Sequence, residues 1–236
     1  LLLLPQYSIM ELPEHISIDF LSNWNASSFA LPEDAFTRIT TNRNYLDGIL
    51  KQGNTYYGIN TGFGSLCNVR IADDELSQLQ ENLVCSHACG MGDEVPEDIV
   101  RWMLLLKAHG LGRGYSGVRV EIVQRLIDFY NLGISPVVYE LGSLGASGDL
   151  APLAHLSLPI FGKGKVRYKG VVREAAEVLK ETGLEPIPLA AKEGLALLNG
   201  TQFMSSHAVW CLIKSRQLSA WADVIGALSA EGFMAK

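Results

Sequence analysis

The sequence predicts a mainly α-helical protein, and three observations carry that expectation. Apolar residues recur at helical spacing through most of the region 33–131. From Gln202 to Lys236 only isolated glycines interrupt a stripe of Val209, Leu212, Ile213, Leu218, Trp221, Ile225 and Leu228. Between these regions lies Tyr139–Phe161, YELGSLGASGDLAPLAHLSLPIF, in which Gly142, Gly145 and Gly148 stand among small residues. A long apolar stripe needs partner helices, so 201–236 is expected to begin a helical bundle, and 1–200 to form a domain around the glycine-rich turn.

Taken in order, residues 1–30 carry weak signals and receive no assignment. Glu33–Leu50 is expected to be helical, with Phe36, Ile39, Leu46 and Ile49 apolar and Gly53 as its stop. Thr55-Tyr56-Tyr57-Gly58-Ile59-Asn60-Thr61-Gly62-Phe63-Gly64 breaks that pattern and reads as a short strand or an irregular loop. A second helix is expected over Asp73–Ala88, capped by Asp73 or Asp74, with Leu76, Leu79 and Leu83 inward. A third, opened by Pro96-Glu97-Asp98 and running to Gly110, is apolar nearly all round and therefore buried. Ser116–Asn131 is amphipathic, with Val118, Ile122, Val123, Leu126, Ile127 and Tyr130 on one face and Gly133 as its end. Neither of these last two helices offers a catalytic constellation.

Lys163–Val172 alternates around Lys169-Gly170 as a surface hairpin. Glu174–Thr182 is a short helix stopped by Gly183, Pro186 and Pro188 hold an extended segment, and Lys192–Asn199 is helical again. The stripe from Gln202 is still unbroken at Lys236.

In the central stretch, Asp149 is placed to cap a helix with Pro152 in its first turn and Leu150, Leu153, Ala154 and Leu158 as its apolar stripe. Ser147 is thereby presented on a compressed turn at a helix N-terminus, where peptide dipoles favour negative charge. Three readings compete. The stretch joins two helices and does nothing else; or Ser147 is a hydrolase nucleophile, although that elbow is Gly-x-Ser-x-Gly and position 149 is Asp. In the third, the Gly148 nitrogen closes on the Ala146 carbonyl carbon, and loss of two waters leaves a ring with an exocyclic methylene, an electrophile no ordinary side chain offers. Small residues suit that closure because bulk on either flank blocks the approach.

Cys85-Ser86-His87-Ala88-Cys89 raises zinc, but ligands at i, i+2 and i+4 point around a helix, and no second Cys/His pair lies nearby, so no metal is expected. A structural histidine is the plainer reading of His87, a structural phenol that of Tyr57, and a helix cap that of Asn199.

Gly145-Ala146-Ser147-Gly148-Asp149-Leu150, Tyr57-Gly58-Ile59-Asn60-Thr61-Gly62-Phe63-Gly64 and Glu193-Gly194-Leu195-Ala196-Leu197-Leu198-Asn199-Gly200-Thr201 together resemble the aromatic amino acid ammonia-lyases and aminomutases. These enzymes carry a self-made methylidene-imidazolone (MIO). The motifs stand in that family's order and spacing, and the similarity runs from near residue 30 to the end.

The resemblance implies an ammonia-lyase/fumarase-like helical fold and an MIO formed from Ala146, Ser147 and Gly148 with no external cofactor. It also implies a catalytic Tyr57 that moves a proton or steers substrate, and substrate-binding His87 and Asn199. Ser-His at 86–87 is similar to members acting on histidine, whereas His-Leu or Phe-Leu marks many tyrosine or phenylalanine members. The implied reaction is elimination of ammonia from L-histidine to give trans-urocanate, in a homotetramer whose sites draw on several subunits. Alternatives are a tyrosine or phenylalanine lyase or aminomutase, or an inactive truncated assembly module. Resembling chains run to roughly twice this length, so a second half supplying further site residues is expected to be missing.

With 236 residues, 48% hydrophobic and 19% charged, the chain has the composition of a globular protein. A net charge of -6 speaks against a nucleic-acid partner. The four cysteines form no disulfide-style framework, which favours a reducing compartment. Leu1–Leu4 lacks a basic leader, and no apolar run reaches membrane length, so a cytoplasmic, membrane-free protein is expected.

Overall fold

The computed structural model describes residues 9–23, 28–62, 68–143 and 145–234. Phe63, Gly64, Cys67, Leu144 and Lys236 lie outside the described residues. The chain is mainly α-helical, as its periodicity predicts. It opens with β1 (Ile9–Glu11), α1 (Ile18–Asn23) and β2 (Ser28–Ala30), where β1 and β2 pair in parallel. This early region, unassigned from sequence, is tied to the core by the Asn131 side chain. Its Oδ1 accepts from the Phe29 N–H and its Nδ2 donates to the Phe29 carbonyl, both at 2.8 Å, as a neighbouring strand would.

The helix α2 spans Glu33–Leu50, with the predicted bounds. It buries Ala35, Ile39 and Leu46, while Phe36 stays exposed. After it, residues 51–62 form turns, and Thr61 makes an isolated bridge with Arg70, so this segment is an irregular loop. The helix predicted from Asp73 begins as a 3-10 turn (Asp73–Glu75) and becomes α3 at Leu76–His87. The residues before these two helical segments are Ala72 and Glu75, and neither makes a side-chain capping bond.

Next come β3 (Met91–Glu94), α4 (Glu97–Gly112) and α5 (Val120–Leu132). The α4 helix is buried nearly all round, packed between α5 on one side and α9 (Gln202–Gly232) on another. The expected start of α5 at Ser116 is too early. Residues 116–119 are extended or bent because their polar groups are committed elsewhere: the Gly117 N–H donates to Asn42 Oδ1 at 2.7 Å, and the Arg119 N–H to Glu193 Oε1 at 2.8 Å.

The strands β4 (Ser135–Pro136) and β5 (Tyr139–Leu141) lead into the glycine-rich turn and α6 (Leu150–Ser157), which runs on into a 3-10 turn over Leu158–Phe161. The predicted hairpin is β6 (Lys165–Tyr168) and β7 (Val171–Glu174), antiparallel, turning through Lys169 (φ 51°) and Gly170 (φ 80°). The sequence missed its third strand, because β4 contributes only two residues, Ser135 and Pro136, to β6. The helices α7 (Ala175–Thr182) and α8 (Glu193–Leu198) follow.

Glu193 anchors α8. It is fully buried, accepts from Arg119 Nε and Nη2 at 2.9 and 2.8 Å, and also takes the Ala190 N–H at 2.7 Å. Across α8, a Cβ on Gly194 would lie 2.6 Å from the Gln80 carbonyl oxygen, so only glycine allows α8 this close to α3. The helix that ends at Asn199 is thus fixed from two directions.

One apolar core holds these elements, with Met103, Leu104, Ile122, Leu126, Phe129, Leu153, Leu156 and Ile160 fully buried. The first turns of α9 join it through Phe203, Val209 and Ile213. Beyond Ile213 the helix is exposed on every side, including Leu218, Trp221, Ile225 and Leu228.

Candidate functional site

The central turn closes on itself. The Gly148 N–H donates to the Gly145 carbonyl at 3.2 Å, and the Leu150 N–H to the Gly148 carbonyl at 3.0 Å. Gly148 sits at φ +103° and bridges in parallel to Gly200, itself at φ +135°. A Cβ on Gly148 would lie 2.0 Å from the Gly200 carbonyl oxygen, which that position can accommodate only as glycine. That same oxygen accepts from the Asp149 N–H at 2.8 Å. Ala146 and Ser147, at the crest, are exposed.

Asp149 departs from expectation. It occupies the residue before α6, but its carboxylate makes no bond to that helix. Instead Oδ1 accepts from the Ser143 hydroxyl at 2.7 Å, and Oδ2 accepts from the Met204 N–H, in the first turn of α9, at 3.0 Å. This buried carboxylate caps α9, where the N-terminal dipole favours it, and ties the two ends of the glycine-rich turn to that helix.

Beside the turn lies a cavity of about 160 Å³ lined by His87, Cys89, Gly142, Gly145, Gly148, Leu150 and Ala151. His87 stands at the last turn of α3, half-buried, with Nδ1 at 2.8 Å from the Leu83 carbonyl. A carbonyl partner places the proton on Nδ1 and leaves Nε2 as an acceptor. Among the described residues no group of three His, Cys, Asp or Glu side chains is placed to hold a metal ion.

Gly90, the residue after Cys89, is held by His155, which the sequence did not single out. Its Nε2 accepts from the Gly90 N–H at 3.0 Å, and its ring meets Tyr139 edge-on at 5.0 Å. Burial holds this imidazole below the usual histidine range. The sign follows: as pH falls through about 6.5, the unfolded chain takes up a proton that the native His155 refuses, so stability is lost there and is flat above about pH 7. Thermal melts should show the wild type losing stability more steeply than His155→Gln between about pH 7 and pH 5.5. Equal slopes would contradict this assignment.

Asn199 ends α8 and reaches the turn through its neighbour Gly200. Its side-chain Nδ2 folds back to the Leu195 carbonyl at 2.9 Å. Its own carbonyl accepts from Lys107 Nζ at 2.7 Å. Lys107 is 3% exposed, and burial lowers its pKa to about 7. Tyr57 stands apart: it is 61% exposed, on the loop after α2, and does not line the cavity. The structure thus brings Gly148 and His87 into one cavity, sets Asn199 against it through the backbone, and leaves Tyr57 outside. In a larger concavity of about 370 Å³ near Leu12 and Leu31, the two arginines, Arg38 and Arg113, are paired with Asp34 and Glu14.

A helical scaffold that compresses an Ala-Ser-Gly turn between two helix N-termini, with an imidazole facing the same hollow, is the arrangement of a helical lyase domain. Comparison with known proteins agrees. The family profile described as "Aromatic amino acid lyase" matches residues 18–236. The chain belongs to the aromatic amino acid lyase family. It is 48% identical over 204 residues to the histidine ammonia-lyase of Salmonella agona (strain SL483), covering 86% of this chain and 40% of that relative. Among solved structures, histidine ammonia-lyase from Trypanosoma cruzi superposes with a TM-score of 0.87 at 36% identity, over 97% of this chain and 45% of that one. Pantoea agglomerans phenylalanine aminomutase does so with a TM-score of 0.86 at 30% identity, over 95% and 44%. The chain therefore spans about 40% of the length of the curated relative it matches. Among the described residues, no helix is long and apolar enough to cross a membrane.

Proposed function

We propose that this chain carries the electrophile-forming part of a carbon–nitrogen lyase that removes ammonia from L-histidine to give trans-urocanate. The observation that carries the reading is the Ala146-Ser147-Gly148 turn, pressed so tightly on Gly200 that no side chain fits at position 148. Those residues fit an MIO group, since closure needs a backbone already folded back at Gly148 and an unhindered flank at Ala146 and Ser147. The group supplies an electrophile that makes a substrate β-proton removable.

The chain's own side chains do the rest. His87, with its proton held on Nδ1 by Leu83, offers Nε2 to the N–H of a substrate imidazole. Leu150 and Ala151 give that ring an apolar floor. Asn199 stands by to hold the substrate. The N-terminus of α6 faces charge developing on the turn. Tyr57 is the candidate acid or base, brought to the cavity only when its loop is covered by further chain. The similarity to histidine ammonia-lyases near 50% identity supports histidine over the aminomutase substrates.

The same reading makes 1–200 the ring-bearing domain and 201–236 the start of a central bundle, which would cover the exposed apolar residues of α9. It places the protein in the cytoplasm and in a homotetramer, with no external cofactor.

The test is turnover by the protein as it occurs in its source, following urocanate from L-histidine beside cinnamate-type products from phenylalanine and tyrosine. His87→Leu should lower the kcat/KM for histidine by about 10²-fold or more, and shift preference toward the phenyl substrates. An unchanged preference would remove His87 from substrate recognition.

A further inference from the structure

Lys107 is a buried amine that the proposed chemistry does not use. It lies within α4 between the fully buried Met103 and Leu104 on one side and the buried Leu111 on the other. No carboxylate pairs with it among the described residues, and its single hydrogen bond runs to the Asn199 carbonyl at 2.7 Å. One neutral acceptor does not offset the desolvation of an ammonium, so methionine or leucine would fill the same space at lower cost. Lys107 is therefore not explained by stability.

Its target explains it better. Asn199 is followed directly by Gly200, whose carbonyl takes the Asp149 N–H and abuts Gly148. On its other side Gly200 is closed in by Gln202, whose Oε1 would lie 2.3 Å from a Cβ there. Any shift of the Asn199 carbonyl passes straight to the turn. The last carbonyls of a helix lack partners within it, and Lys107 takes one of these at a point that sets the distance between Gly200 and Gly148.

We propose that Lys107 is a positioning residue: its amine, bonded to the Asn199 carbonyl, holds the Asn199–Gly200 segment against Gly148 and keeps the turn compressed for cyclisation. The inference rests on the ring-forming reading of Ala146-Ser147-Gly148.

The experiment compares wild type, Lys107→Met, Lys107→Gln and Leu104→Ala, each in the protein as it occurs in its source. Intact mass gives the fraction dehydrated over time, and thermal denaturation gives stability. Wild type loses two waters. Lys107→Met dehydrates about tenfold more slowly or worse while melting no lower than wild type, because a displaced backbone loses the near-attack geometry and not the fold. Lys107→Gln, which still donates, is intermediate, and it carries the comparison if the methionine variant is insoluble. Leu104→Ala melts lower but dehydrates as wild type does.

Dehydration of both Lys107 variants at the wild-type rate would overturn the proposal. So would a defect in Leu104→Ala as large as that in Lys107→Met, since the effect would then follow stability alone. Absence of dehydration from wild type itself would overturn the ring-forming reading before Lys107 is considered.

Discussion

Replacing Gly148 by alanine is expected to abolish dehydration of the turn and to lower stability by about 2–5 kcal/mol. Two causes add. At φ +103° a side chain is strained whatever the space around it, and the added Cβ would meet the Gly200 carbonyl oxygen at 2.0 Å, far inside contact distance. Relief requires Gly200 to retreat, but Gly200 is held by the Asp149 N–H and hemmed in by Gln202. Separation of the turn from Gly200 is thus the least costly response, and it undoes the compression on which ring closure depends. Intact mass and thermal denaturation of Gly148→Ala read both effects. A variant that dehydrates as wild type does would show that the contact with Gly200 is incidental.

The second large effect belongs to Asp149. Asp149→Ala is expected to cost about 2–4 kcal/mol, since it removes two hydrogen bonds to a buried carboxylate and strands the Ser143 hydroxyl and the Met204 N–H. It also separates the turn from the start of α9. Asp149→Asn, which keeps one acceptor oxygen, should recover part of the stability. Chemical denaturation distinguishes them: equal stability of Asp149→Ala and wild type would mean that the carboxylate does not cap α9.

The sequence made much of this legible, and its omissions have a physical pattern. The bounds of α2 followed from local signals: apolar spacing within it and a glycine just beyond. The compressed turn was visible for the same reason, because three glycines among small residues constrain the backbone wherever they occur. Partnerships across the chain were not visible. Asp149 stands where a cap for α6 belongs, yet its partner Met204 is 55 residues away. The start of α5 slipped because Gly117 and Arg119 spend their N–H groups on Asn42 and Glu193, each more than 70 residues distant.

Lys107 was missed differently. It stands in a helix that is apolar nearly all round, where a charge has nowhere to go but inward. That signal was present and could have named Lys107 as a buried group. His155 gave no comparable sign, since its role depends on Gly90 coming within 3.0 Å across 65 residues. Of the candidate site, Gly148 and His87 share the cavity, whereas Tyr57 lies outside it on the loop after α2.

The most direct test of the account is the intact mass of the protein as it occurs in its source, with the deficit mapped by fragmentation. The account predicts loss of two waters confined to Ala146-Ser147-Gly148 and, in Ser147→Ala, its disappearance with the fold retained. An unmodified mass in correctly folded wild type would contradict it and leave the turn as a structural link between β5 and α6.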